Sequence, residues 1–264
     1  MLGGMGQVYW EKKRRRIVAQ LAQPSKWDED KYNGSALKRA LADTILVDAA
    51  WLAQLADKGG VLPRCQEVPT DFVVTLEEME RSNFCFGELL PVLVISSPWL
   101  NADHPDEHGV LLQSVKFVLN AFAKRAEEEG GKCGVFWDYC SRVAASSNPP
   151  HPLSTTTTTA TITTPHPSLG RLPQRPLHAF GSLSSAERAT FDRALSGLSS
   201  WYGHPLTTVL LVDTPPPVGA WRAHTNLQPY ELRGWCDMAA RASALVKDVR
   251  ALLSLKRLSG EEKR

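Results

Sequence analysis

Three short apolar runs stand out from a chain whose other apolar residues recur at helical spacing. Leu90–Ser97 (LPVLVISS), Lys132–Ser141 (KCGVFWDYCS) and Thr207–Val212 (TTVLLV) are rich in β-branched and aromatic residues and bounded by Gly, Pro or Asp. They are too short for buried helices, and the pattern predicts buried β-strands. Between them the period changes. Leu37, Leu41, Ile45, Leu52 and Leu55 predict a helix over Ser35–Lys58, stopped by Gly59-Gly60. Thr75 and Glu78 have capping-box spacing ahead of a second helix ending near Asn83. Leu111, Val115, Val118, Leu119 and Phe122 mark a helix from Val110 to about Glu128, closed by Gly130-Gly131. A further capping box at Ser184–Glu187 opens a helix carrying Phe191, Leu195, Leu198, Trp201 and Tyr202. The last predicted helix runs from about Pro229 to Leu258, with Leu232, Trp235, Met238, Leu245, Val249 and Leu252 as its apolar positions.

Strand, helix and strand at this spacing form a βαβ unit, so the expected sheet is parallel with right-handed crossovers. The fold class this implies is α/β: a small parallel sheet with flanking helices, flavodoxin-like, with an N-terminal helical extension and a disordered insertion. Residues 1–34 have weak periodicity and form an expected poorly ordered basic arm. Residues 35–88 are the helical extension, 89–141 and 181–258 the α/β domain, and 259–264 a charged tail. Between the two halves of the domain, 142–180 holds Pro149-Pro150, the threonine run 155–159 and almost no large apolar residues. Such a segment cannot bury enough surface to offset its ordering entropy, and it reads as a disordered Ser/Thr/Pro-rich insertion or as translated intron.

Composition narrows this picture only slightly. Hydrophobic content of 43% and charged content of 22% in 264 residues are those of an ordinary globular protein. A formal net charge of +2 gives no basis for specific nucleic-acid binding, and the one concentrated basic run is Lys12–Arg16. No apolar run approaches the roughly 20 residues that span a bilayer. The start lacks the apolar stretch of a secretory signal. Five cysteines without a CxxC pair signal neither a disulfide framework nor a zinc site, so the expected setting is intracellular, in the cytoplasm.

Candidate chemistry gathers at strand ends, because ligands of open α/β sheets sit beyond the carboxyl ends of the strands. Asp138 terminates the second strand, where it either takes part in chemistry or caps the following turn. Ser96 and Trp99 close the first strand and lead into a polar loop containing His104, Asp106 and His108. Pro105 and Gly109 place the two histidines in a loop rather than on one helical turn, and no metal site is expected. Asp138, Asp106 and His104 are the candidate catalytic residues. Ser96, Trp99, Arg233, Trp235 and Cys236 are the candidate binding residues. Arg233 could instead pair with Asp138 as a structural ion pair, and the tryptophans could be core. Gly3–Tyr9 resembles a kinase glycine-rich loop, but no VAIK lysine, HRD or DFG follows it.

Tyr230–Cys236 (YELRGWC) resembles the Trp-Cys signature at the start of a helix in Toll/interleukin-receptor (TIR) domains. The run Phe136–Ser141, with Glu187, Arg188, Trp201 and Tyr202, also resembles heterokaryon-incompatibility domains. Taken together, LPVLVISSPWL, HPDEHG, VFWDYCS, WYGHPLTTVLLV and RGWC are similar to a group of TIR-like proteins of algae and other protists. The resemblance implies protein partners or self-association. In enzymatic TIR domains it also implies NAD as a substrate, cleaved with the help of a glutamate three residues after the cysteine. Ala239 stands at that position here, and Asp237 is two residues away, about 200° around a helix. The expectation is a non-catalytic signalling or assembly module without a cofactor, the alternative being a nucleotide hydrolase. TIR domains carry further strands after this helix, and none is expected here.

Overall fold

The computed structural model describes residues 34–81, 86–101, 104–141, 197–215 and 228–260, together with Glu11, Lys26, Trp27, Arg193 and Asn226. The basic run 12–16, the insertion 142–180 and the capping box at 184–187 lie outside the described residues. Chain order gives α1 (Gly34–Ala40), β1 (Val47–Asp48), α2 (Ala49–Asp57), α3 (Leu76–Arg81), β2 (Val92–Ser96), α4 (Val110–Glu127), β3 (Gly134–Trp137) and α5 (Asp138–Ser141). Then come α6 (described over 197–203), β4 (Thr208–Leu211), α7 (Gly234–Val246), β5 (Leu252–Ser254) and α8 (Leu255–Leu258).

Among the described residues, five strands form one sheet in the order β1-β3-β2-β4-β5. All neighbours are parallel except β1, which runs antiparallel to β3 with Val47 opposite Val135. The four parallel strands therefore follow the order second, first, third, fourth of flavodoxin-like doubly wound sheets. Every residue of β2 is buried, as a central parallel strand covered on both faces requires. On one face, Leu52 and Ala56 of α2 and Leu111, Val115 and Leu119 of α4 pack against Leu93, Ile95, Val135 and Trp137. On the other, Leu37, Met79, Trp201, Tyr202 and Ala239 cover Val92, Val94, Phe136 and Val209, with Phe136 stacked on Trp201 at 5.3 Å.

Four expectations need correction. Trp27 belongs to the stretch read as a loose arm, yet it is wholly buried in the second core cluster. The stripe over 35–58 is two helices with a strand between them. Thr44 Oγ1 donates to the Ala40 carbonyl where α1 ends, and Asp48 accepts the Ala50 amide at 2.7 Å to start α2. Leu37 and Leu52 thus face opposite sides of the sheet, so residues 35–88 supply an edge strand as well as helices. The run 132–141 leaves the sheet at Asp138, because Ser141 Oγ accepts the Trp137 amide at 3.0 Å and turns the chain into α5. Finally, the segment 229–258 is not one helix. A 3-10 turn (Tyr230–Leu232) precedes α7, and β5 follows it beside β4, so a strand does continue the sheet after the Trp-Cys helix.

Candidate functional site

The parallel order reverses between β2 and β4, and the loops leaving their carboxyl ends enclose two adjoining clefts. The larger, about 460 Å³, is lined by Ser97, Trp99, Asp138, Gln228, Leu232, Arg233, Trp235 and Cys236. The smaller, about 280 Å³, lies toward β5, between Pro98, Asp213, Tyr230, Glu231 and Lys256. Asn226, Gln228 and Arg233 border both.

Arg233 is the partition. Its Nη1 donates to the Trp99 carbonyl at 2.5 Å, its Nη2 to the Asn226 carbonyl and its Nε to the Gln228 carbonyl, both at 2.8 Å. The guanidinium fastens the β2 loop to the start of the Trp-Cys segment, a use of Arg's fixed fork of donors. The three bonds thus go to main-chain carbonyls, not to Asp138, the alternative partner considered from the sequence. Asp138 is 9% exposed in the wall of the larger cleft, and its Oδ2 accepts the Trp99 indole N–H at 3.3 Å. Trp99 stands edge-on to Tyr139, whose phenol oxygen accepts Arg64 Nε at 3.0 Å.

The other two candidate catalytic residues are committed elsewhere. Asp106 is fully buried, and its carboxylate accepts the amides of Leu111 at 2.8 Å and Leu112 at 3.0 Å. It caps the 18-residue α4, whose N-cap position is occupied by Gly109 and offers no side chain. Burial pushes its carboxyl up, outweighing the amide bonds that favour the ionised form. His104 Nδ1 accepts the Asp106 amide at 2.9 Å and its ring packs edge-on against Tyr139, so it braces the same turn. Its pKa is lowered, chiefly by burial.

Among the candidate binding residues, Trp99, Arg233, Trp235 and Cys236 line the larger cleft. Ser96 does not reach it: the hydroxyl is buried beneath the rim, 2.7 Å from the Tyr230 phenol oxygen. Cys236 is buried with its thiol pushed up to about 12, and burial holds the Cys140 thiol higher still. Both are protonated at neutral pH, which removes the thiolate that nucleophilic chemistry needs. Among the described residues no cluster of three or more His, Cys, Asp or Glu side chains could hold a metal, and no helix is long and apolar enough to cross a membrane.

Ala239 completes the geometry. It is 0% exposed and packs with Val209 and Phe136 under the sheet, on the side of α7 turned away from solvent. Asp237 is held by Arg241, whose Nε lies 2.8 Å from both carboxylate oxygens. Sequence reasoning missed Ser97, which accepts the Trp137 indole at 2.8 Å, and Asn226 and Gln228, which accept through main-chain carbonyls. A carbonyl carries no side-chain signature, so only the Ser97-Pro98 stop after β2 hinted at that corner. Neither a family model nor a curated protein nor a solved structure matches this chain.

Proposed function

We propose that this chain is a non-catalytic, TIR-like signalling or assembly module that works through protein–protein contacts at the α7 end of the sheet rim. Bond cleavage at a ribose needs a carboxylate beside the charge that develops, and acid–base work needs a second titratable group within reach. Of the acids considered, Asp106 is closed under α4 and Asp237 is paired on the helix surface, which leaves Asp138 as the acid in the wall of the larger cleft among the described residues. The observation that carries the reading is the orientation of α7. The position where the TIR resemblance calls for a glutamate is buried under the sheet, while Leu232 and Trp235 stand 70% and 41% exposed at the cleft mouth. Apolar side chains held out at the rim of an otherwise ordinary surface mark a contact site.

One feature favours the second reading, a nucleotide hydrolase with NAD as substrate: an open cleft beyond the carboxyl ends of the strands that contains a carboxylate and two indoles. The discriminating experiment incubates the purified chain with NAD and follows nicotinamide. The module predicts no release above the rate without protein. Release that disappears in Asp138→Ala overturns it in favour of the hydrolase.

A further inference from the structure

The surface of α7 that looks away from the sheet carries an apolar stripe of its own. Cys236, Ala239 and Ser243 are the buried positions of the helix. Trp235, Met238, Ala242 and Leu245 recur at intervals of three, four and three along a second face. Met238 and Ala242 are half-buried, whereas Trp235 and Leu245 are 41% and 85% exposed. Leu232 before the helix and Val249 after it, 70% and 88% exposed, prolong the apolar surface at both ends. These residues look like the core stripe of the helix in the sequence, yet the core takes the smaller residues instead. A soluble helix with apolar residues on both sides calls for a second layer.

We infer that this face pairs with the same face of a second copy of the chain, the two α7 helices crossing antiparallel about a two-fold axis at the level of residue 240. The inference rests on the reading of the chain as an assembly module and names its partner. The spacing itself is close to palindromic. About that level Trp235 comes opposite Leu245 of the second copy and Met238 opposite Ala242, so each large side chain meets a complementary one. Ala242 at the centre lets the helix axes approach to about 8–10 Å.

Charge supplies the second argument. Along the helix the acid precedes the base: Asp237 and Arg241 form an exposed intrahelical pair. Antiparallel pairing brings Asp237 to within about two residues, or 3 Å along the axis, of the level of Arg241 in the second copy. A parallel arrangement would stack like on like. An isologous contact requires this kind of self-complementary surface, and the opposed helix dipoles suit it. One four-turn face is small for a specific interface, so the expected affinity is micromolar rather than nanomolar.

The test is sedimentation velocity of the full chain from about 1 to 200 µM, a range that brackets a weak interface. The native chain should shift from monomer to dimer. Leu245→Asp, at a site too exposed to endanger the fold, should weaken dimerisation by at least about tenfold, the equivalent of removing one well-placed apolar contact. Arg241→Glu should weaken it as well, and adding Asp237→Arg to that variant should restore it, because the swap rebuilds both the intrahelical and the intermolecular pairs. A chain that stays monomeric throughout overturns the inference. So does a dimer that Leu245→Asp leaves unchanged, although the assembly module would then stand with a different surface. NAD turnover dependent on Asp138 would remove the module whatever the mass.

Discussion

Replacing Asp106 tests whether the HPDEHG loop serves stability or chemistry. In Asp106→Ala the amides of Leu111 and Leu112 lose their acceptor at a site with no access to water. Each charge-assisted bond of this kind contributes about 1.5–3 kcal/mol, and loss of a helix cap costs about 0.5–2 kcal/mol. The two descriptions overlap, so the expected loss is about 3 kcal/mol, seen as a fall of about 1 M in the urea midpoint for a chain of this size. Asp106→Asn keeps one good acceptor and should lose about half as much.

The pH dependence has a definite sign. Burial raises the folded carboxyl above its ordinary 3.8, so the folded state holds this proton more tightly than the unfolded chain does. The contribution of this group is therefore greatest in acid and is lost as pH rises through the raised value. The stability gap between the native chain and Asp106→Asn should widen as pH falls from 7 toward 4. Urea melts monitored by tryptophan fluorescence across that range measure it. A stability loss in Asp106→Ala below about 0.5 kcal/mol would refute the capping argument, since that is the scatter expected of a neutral surface change.

Two further substitutions probe other joints of the structure. Gly109 has φ +70°, and a Cβ there would lie 2.5 Å from the carbonyl oxygen of Gly60, whereas Gly130, at φ +73°, has nothing within 4 Å of the same added atom. Gly130→Ala should cost only the left-handed strain of about 1–2 kcal/mol, and Gly109→Ala distinctly more, as thermal melts of the two variants would show. Ala239→Glu restores the residue that the Trp-Cys resemblance calls for, but into the core. It should destabilise the chain by more than about 3 kcal/mol and release no nicotinamide from NAD, because the carboxylate would be buried rather than presented to the cleft.

The strands were the most legible part of the sequence. Val92–Ser96, Gly134–Trp137 and Thr208–Leu211 are buried parallel strands, and such strands read as unbroken β-branched and aromatic runs. Short strands hidden among helical periodicity were not legible. Val47–Asp48 and Leu252–Ser254 are edge strands of two and three residues, and Leu37, Leu41, Ile45, Leu52 and Leu55 satisfy a helical template even though the chain reverses face between them. Periodicity also cannot tell which side of an amphipathic helix meets the core. Leu232, Trp235 and Leu245 were the natural choice for α7 by size, whereas the sheet surface above Val209 and Phe136 accommodates Ala239 and Ser243.

At the site, strand-end reasoning and the Trp-Cys motif singled out Trp99, Arg233, Trp235 and Cys236, and these four were found lining one cleft. Asp106 and His104 were not. A carboxylate just ahead of a helix whose own N-cap is glycine is needed by that helix, and this local demand wins over any role in the cleft.

The two-residue strand β1 sets where this protein can be divided. Val47 pairs with Val135 and bridges to Val73, the Leu46 carbonyl accepts the Val74 amide, and Leu46 fills the space above Gly134. A fragment trimmed to begin near Leu89 would keep every parallel strand and still fail as an independent unit. Its β3 would be left with a bare row of amides and carbonyls, an invitation to edge-to-edge sheet growth between molecules.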